Sequence, residues 1–134
     1  MLKGKFAVAL DCIDGRTKEV VINYAKENFG TDFVDFVDAP GMDGILSGDI
    51  LIPDGFSAPR AVLLKWFRAQ VEISAIHHKA KTIIVVGHDQ CAGNPVKKEK
   101  HSEQIKKAVE LVRSWNFGPE VVGIWVGESA EKIV

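Results

Sequence analysis

The chain has 134 residues, enough for one domain with a sizeable core of its own. Its 46% hydrophobic and 26% charged content is ordinary for a soluble globular protein, and a formal net charge of −1 gives no electrostatic drive toward nucleic acid or an anionic membrane. The lysines that do cluster (Lys97, Lys98, Lys100, Lys106 and Lys107) are interleaved with Glu99, Glu103 and Glu110 and read as a solvated face. No apolar run approaches the ~20 residues needed to cross a bilayer.

At the N-terminus Lys3 and Lys5 precede an apolar run, but residues 6–10 are fewer than the ~7–15 of a secretory h-region. Residues 6–11 read instead as a first buried strand. Without an export signal the expected compartment is the reducing cytoplasm, where Cys12 and Cys91 are more often free or metal-bound than disulfide-bonded. A helix is predicted over 17–29, with Val20, Val21, Tyr24 and Ala25 at helical spacing and Gly30 as its stop. A second strand follows at 33–37.

Residues 38–57 form the one long irregular stretch, holding Pro40, Gly41, Gly44, Gly48, Pro53 and Gly55. A loop of that length is uncommon in a compact domain and is expected to be a lid or a subunit contact. A long helix over 58–79 follows, with the stripe Val62, Trp66, Ala69, Ile73, Ile76 and Ala80 expected to face the core. Then come a strand at 82–87, a helix over 102–115 and a strand at 121–126. Ser102 is a candidate cap for that helix, and Ile105, Ala108, Val109, Val112 and Trp115 are its expected buried face. The strands are continuous apolar runs, as in a parallel sheet covered on both faces. The expected fold is therefore α/β, a single domain over 1–134 with a four-stranded, mostly parallel sheet flanked by helices.

In open α/β sheets chemistry collects at the carboxyl ends of strands where strand order reverses. The end of the first strand gives Cys12-Ile13-Asp14-Gly15-Arg16, and the end of the third gives Gly87-His88-Asp89-Gln90-Cys91. If those strands are neighbours, Cys12, His88 and Cys91 converge. Two thiolates and an imidazole leave a fourth position open, the composition of a catalytic zinc site. A phosphatase loop needs Cys-x5-Arg, but Lys18 stands where that arginine belongs. No Gly-x-Gly-x-x-Gly follows any strand, which excludes a dinucleotide fingerprint.

Of the other histidines, His77 and His78 fall in the last turn of a helix, where the dipole favours a cation. His101 lies near Glu99 just before a helix. Trp66 and Trp115 are expected in the core, and Trp125 in the last strand.

These motifs resemble the β-class carbonic anhydrases, which carry Cys-x-Asp-x-Arg after the first strand and His-x-x-Cys after a later one. The segment 74–87 leading into Gly87-His88 is also similar. The resemblance implies a carbonate dehydratase, a Zn²⁺-dependent lyase. Its metal ligands would be Cys12, His88 and Cys91, with water or hydroxide fourth, and Arg16 would orient a catalytic Asp14. The implied reaction is reversible hydration of carbon dioxide to bicarbonate through zinc-bound hydroxide. With two thiolates offsetting the zinc charge, activity is expected to rise toward alkaline pH. A homodimer is expected by the same analogy, with the exposed side of the long helix or the 38–57 loop as its interface. The family's N-terminal helices do not precede Cys12 here, and its Arg-Asn-Ala-Gly segment appears as Val37-Asp38-Ala39-Pro40-Gly41. Two alternatives use the same metal: a zinc hydrolase of carbonyl sulfide or carbon disulfide, and a non-catalytic zinc-binding or regulatory protein.

Overall fold

Alternation of apolar strands with amphipathic helices produces a sheet of order β2-β1-β3-β4-β5. The computed structural model describes residues 3–53 and 57–134. Met1, Leu2 and residues 54–56, which include Gly55 of the long irregular stretch, lie outside the described residues. The strands are β1 (Phe6–Asp11), β2 (Phe33–Asp38), β3 (Thr82–His88), β4 (Glu120–Val126) and β5 (Ala130–Lys132). The first four are parallel, and β5 turns back antiparallel on β4, pairing Ile124 with Lys132 and Val126 with Ala130. The sheet thus has five strands rather than four. β5 has three residues, two of them the exposed Glu131 and Lys132, so no apolar run announces it; charges on so short an edge also blunt further strand pairing.

The chain winds outward in both directions from the β1/β3 pair, where Leu10 lies opposite Val85. On one sheet face α1 (Lys18–Phe29) covers Ala7, Ala9, Ile84 and Val122 with Val21 and Ala25. Gly30 ends this helix in the left-handed region at φ 65°, as its sequence position requires. On the other face α2 (Met42–Ser47), α3 (Arg60–His77) and α4 (Lys98–Ser114) cover Val8, Leu10, Ile83 and Val85. Among the described residues no helix is long and apolar enough to cross a membrane.

Three local expectations are corrected. The irregular stretch contains α2, bounded by left-handed Gly41 and Gly48; Met42, Asp43, Ile45 and Leu46 are buried, so this part is core and not a lid. The long helix buries Phe67, Val71 and Ser74, while Val62, Trp66, Ile73 and Ile76 are more than half exposed. Trp66 is therefore a surface residue, and Ala80 is buried beyond the helix end. Both stripes fit a helical period, and only packing decides between them. Finally, α4 begins at Lys98, placing Ser102 inside the helix and His101 on its buried face. His77 ends α3, and His78 caps it, reaching Asp35 at 2.5 Å and stacking on Phe6.

Phe67 is 2% exposed and belongs to the larger core. Phe67→Ala should lower stability in urea unfolding by about 3–5 kcal/mol, the cost of a large aromatic deletion in a packed core. A loss below about 1 kcal/mol would place the core on the other stripe of α3.

Candidate metal centre

Cys12 follows the last residue of β1, His88 is the last residue of β3, and Cys91 lies three residues further on. Because β1 and β3 are neighbours at the point of reversal, these three side chains meet. All three are buried, at 5%, 3% and 2% exposure. Their donor atoms lie within 4.8 Å of one another, and the two sulfurs are 3.9 Å apart. Both cysteines are free, since a disulfide needs a separation of about 2.05 Å.

The donor set fits a tetrahedral metal. Two sulfurs at Zn–S bonds of ~2.3 Å subtend about 3.8 Å across a tetrahedral angle. His88 Nδ1 donates to the Asp89 carbonyl at 2.7 Å, which leaves Nε2 as the free lone pair. That Nε2 is buried with no hydrogen-bond partner, a costly arrangement that a bound cation relieves. Three donors then leave one coordination position for a small ligand.

Electrostatics favour a thiolate here. The contact with Cys91 pulls the Cys12 thiol far below its ordinary range; His88 and the backbone N–H groups of Gly41 and Asp14 act in the same direction, against burial. The same sulfur contact, with burial, pushes the Cys91 thiol up. The two thiols are thus shifted in opposite directions by one sulfur–sulfur contact, and a cation bound between them would favour the thiolate form of both. Burial pulls the His88 imidazole down, but the Cys12 thiolate and the Asp89 carbonyl outweigh it and the net direction is up.

Asp14 and Arg16 sit at the rim. Arg16 grips the Asp14 carboxylate through its backbone N–H at 2.9 Å, Nε at 3.0 Å and Nη2 at 2.7 Å. This grip holds the Asp14 carboxyl well below the usual carboxylate range. Asp14 Oδ2 lies 3.9 Å from His88 Nδ1. Arg16 in turn donates to the side-chain and backbone oxygens of Gln90, each at 3.4 Å, and Gln90 takes φ 52° to present them. A cleft of about 200 Å³ lined by Arg16, His88, Gln90 and Val126 opens beside the cluster.

Two buried carboxylates that the sequence reading did not single out hold the ligand loops. Asp11, fully buried, accepts from the Cys12 backbone N–H at 2.7 Å, Thr17 Oγ1 at 2.6 Å and Lys18 Nζ at 2.9 Å. Burial raises its pKa, although Thr17 and Lys18 oppose the shift. Lys18 Nζ also reaches the Cys12 carbonyl at 2.6 Å and Asp38 at 2.8 Å, tying β1 to β2. On the other side, Asp43 accepts from Asn94 Nδ2 at 2.9 Å and pairs with His101 Nδ1 at 2.6 Å. Asn94 also donates to Gln104 at 2.7 Å, and its backbone N–H bonds the Cys91 carbonyl at 3.3 Å. A side chain at Gly87 would run into the Asp43 carboxylate. Gly93 and Gly41 meet backbone to backbone, so that a Cβ on Gly93 would lie 2.8 Å from the Gly41 nitrogen. His101 is thus a partner of Asp43 within α4 and not a residue ahead of it. Its signal was the i+3, i+4 and i+7 spacing to Gln104, Ile105 and Ala108 on one helical face.

The profile of the family described as "Putative carbonic anhydrase" matches residues 2–134. No curated protein matches the chain in sequence. Among solved structures the chain is similar to the β-carbonic anhydrase isoform I of the protozoan Trichomonas vaginalis, with a TM-score of 0.57 and 16% identity. That match covers 100% of this chain and 87% of the other. At such identity the likeness is one of fold, and the β-class reading of the two motifs agrees with both findings.

Removing His101 leaves the Asp43 carboxylate buried without its closest partner. His101→Ala should cost about 3 kcal/mol or more in urea unfolding with an unchanged m-value. A neutral His101→Ala would show that Asp43 does not depend on this pair.

Proposed function

Because the chain belongs to the family described as "Putative carbonic anhydrase", we propose that it binds zinc through Cys12, His88 and Cys91 and hydrates carbon dioxide reversibly to bicarbonate. The observation that supports this most directly is the convergence of the three donors within 4.8 Å, with the His88 Nε2 lone pair unpartnered among them. Bound there, zinc supplies the Lewis acidity that makes water nucleophilic near neutral pH.

The chain's own groups have distinct tasks in this reading. His88 is fixed in one tautomer and one ring orientation by its bond to the Asp89 carbonyl. Asp14 is an acceptor at the rim, oriented to take a hydrogen bond from the reacting group. Arg16 keeps that carboxylate ionised and in place, and Gln90 keeps Arg16 in place. The cleft of about 200 Å³ is small beside the ~300–1,000 Å³ of pockets for larger ligands, which suits a triatomic substrate. A homodimer and a reducing, cytoplasmic setting complete the proposal; the free thiols support the latter.

Protein purified without chelator should carry about one zinc per chain and hydrate carbon dioxide in stopped flow, faster at pH 9 than at pH 7. Cys91→Ala should abolish both metal and activity. Asp14→Asn should retain zinc while lowering kcat by about 10–100-fold. The Asp14 pKa in the folded chain lies below its unfolded value, so its charge is complete above that range and lost only as pH falls. The alkaline rise therefore cannot come from Asp14 and should persist in Asp14→Asn at reduced amplitude. Zinc without hydration at either pH would redirect the reading to a related small electrophile such as carbonyl sulfide, or to a binding role. Absence of zinc would overturn the centre.

A further inference from the structure

Lys18 stands at the position after Cys12 where a phosphatase loop would carry its arginine, and the chemistry proposed above gives it no task. It is the first residue of α1. A cation there is opposed by the positive end of the helix dipole, and its side chain, 25% exposed, also gives up much of its hydration. Helix formation therefore does not account for Lys18. Its contacts do. Nζ donates to Asp11 Oδ2 at 2.9 Å, to the Cys12 carbonyl at 2.6 Å and to Asp38 Oδ1 at 2.8 Å, which occupies all three ammonium hydrogens. The same ammonium lies over the Phe36 ring, 4.6 Å from its centre.

These contacts bracket one metal donor. Asp11 accepts the Cys12 N–H at 2.7 Å, and Lys18 holds the Cys12 carbonyl directly, so the peptide groups on both sides of the Cys12 side chain are bonded into one cluster. With both peptides held, Sγ keeps only rotation about χ1. The cluster is itself tied down at β2: Asp38 anchors the ammonium, and the Ala39 N–H bonds the Asp11 carbonyl at 3.0 Å. We infer that Lys18, acting with Asp11, is a positioning residue for the Cys12 ligand, setting the direction of its sulfur and through it the affinity of the centre for metal. It touches neither metal nor substrate. Outer partners of this kind change metal affinity by about 10–100-fold.

This inference rests on the metal centre proposed above and is independent of the reaction run there. Metal-free protein is titrated with zinc against a chelating indicator, and with cobalt(II) followed by visible absorption, which reports ligand geometry. Lys18→Met should weaken zinc binding about 10–100-fold and alter the cobalt(II) spectrum, with helical circular dichroism intact. That variant strands the buried Asp11 carboxylate. The double variant Asp11→Asn/Lys18→Met removes both charges together and keeps the test decisive if Lys18→Met does not fold. It should show the same weakened binding and altered spectrum. A wild-type chain that takes up neither zinc nor cobalt would overturn the centre and this inference together. Wild-type metal binding, with affinity and spectrum unchanged in the folded Lys18 variant, would overturn the inference alone and leave Lys18 a structural ion-pair partner.

Discussion

Two cysteine sulfurs held 3.9 Å apart and left unbonded are the constraint on which the rest of this structure depends. The fold fixes the two backbones independently, one at the end of β1 and one in the loop after β3. The Cys91 contact, the His88 ring and backbone N–H groups of Gly41 and Asp14 then favour the thiolate of Cys12 against its burial. The result is a close pair of buried sulfurs beside an unpartnered imidazole nitrogen.

Each half of the site is fixed by a buried carboxylate, and burying a carboxylate is costly unless every lone pair is used. Asp11 uses its oxygens on Cys12, Thr17 and Lys18, so the Cys12 backbone cannot shift without leaving a charge unpaired. Asp43 uses its own on Gly44, Asn94 and His101, joining α2 and α4 to the loop that carries Cys91. Arg16 then bridges the halves, holding Asp14 from the first and Gln90 from the second. The geometry of the three donors is thus determined mainly by residues outside the cluster.

The strands and the three converging donors were legible because their signals are local: an apolar run is a buried strand wherever it occurs, and a Cys at one strand end and His-x-x-Cys at another need only one topological fact to meet. What stayed hidden depends on long-range partners. Asp43 and His101 are 58 residues apart, and neither has a feature in its own neighbourhood that names the other. Helix α2 was hidden by composition, since Gly44 within it and Gly41 and Gly48 around it read as a loop. Gly44 and Gly41 are required by close packing, since a Cβ on Gly44 would meet Asn94 at 3.0 Å and Gly41 sits against Gly93, whereas Gly48 is required by its φ of 92°. β5 was hidden because its pairing is carried by backbone rather than by apolar side chains.

The misassigned face of α3 is the most informative of these failures. Period alone cannot rank two apolar stripes on one helix, and the more hydrophobic one, with Trp66, Ile73 and Ile76, looked like the core. The stripe that faces the sheet instead includes Ser74, whose hydroxyl donates to Asp35 at 2.6 Å. Asp35 also holds His78, the cap of the helix. A polar anchor at one end and Phe67 in the core therefore set the rotation of α3 about its axis. Once that rotation is set, the stronger apolar stripe has nowhere to go but outward. Val62, Trp66, Ile73 and Ile76 accordingly stay exposed on the outer side of α3.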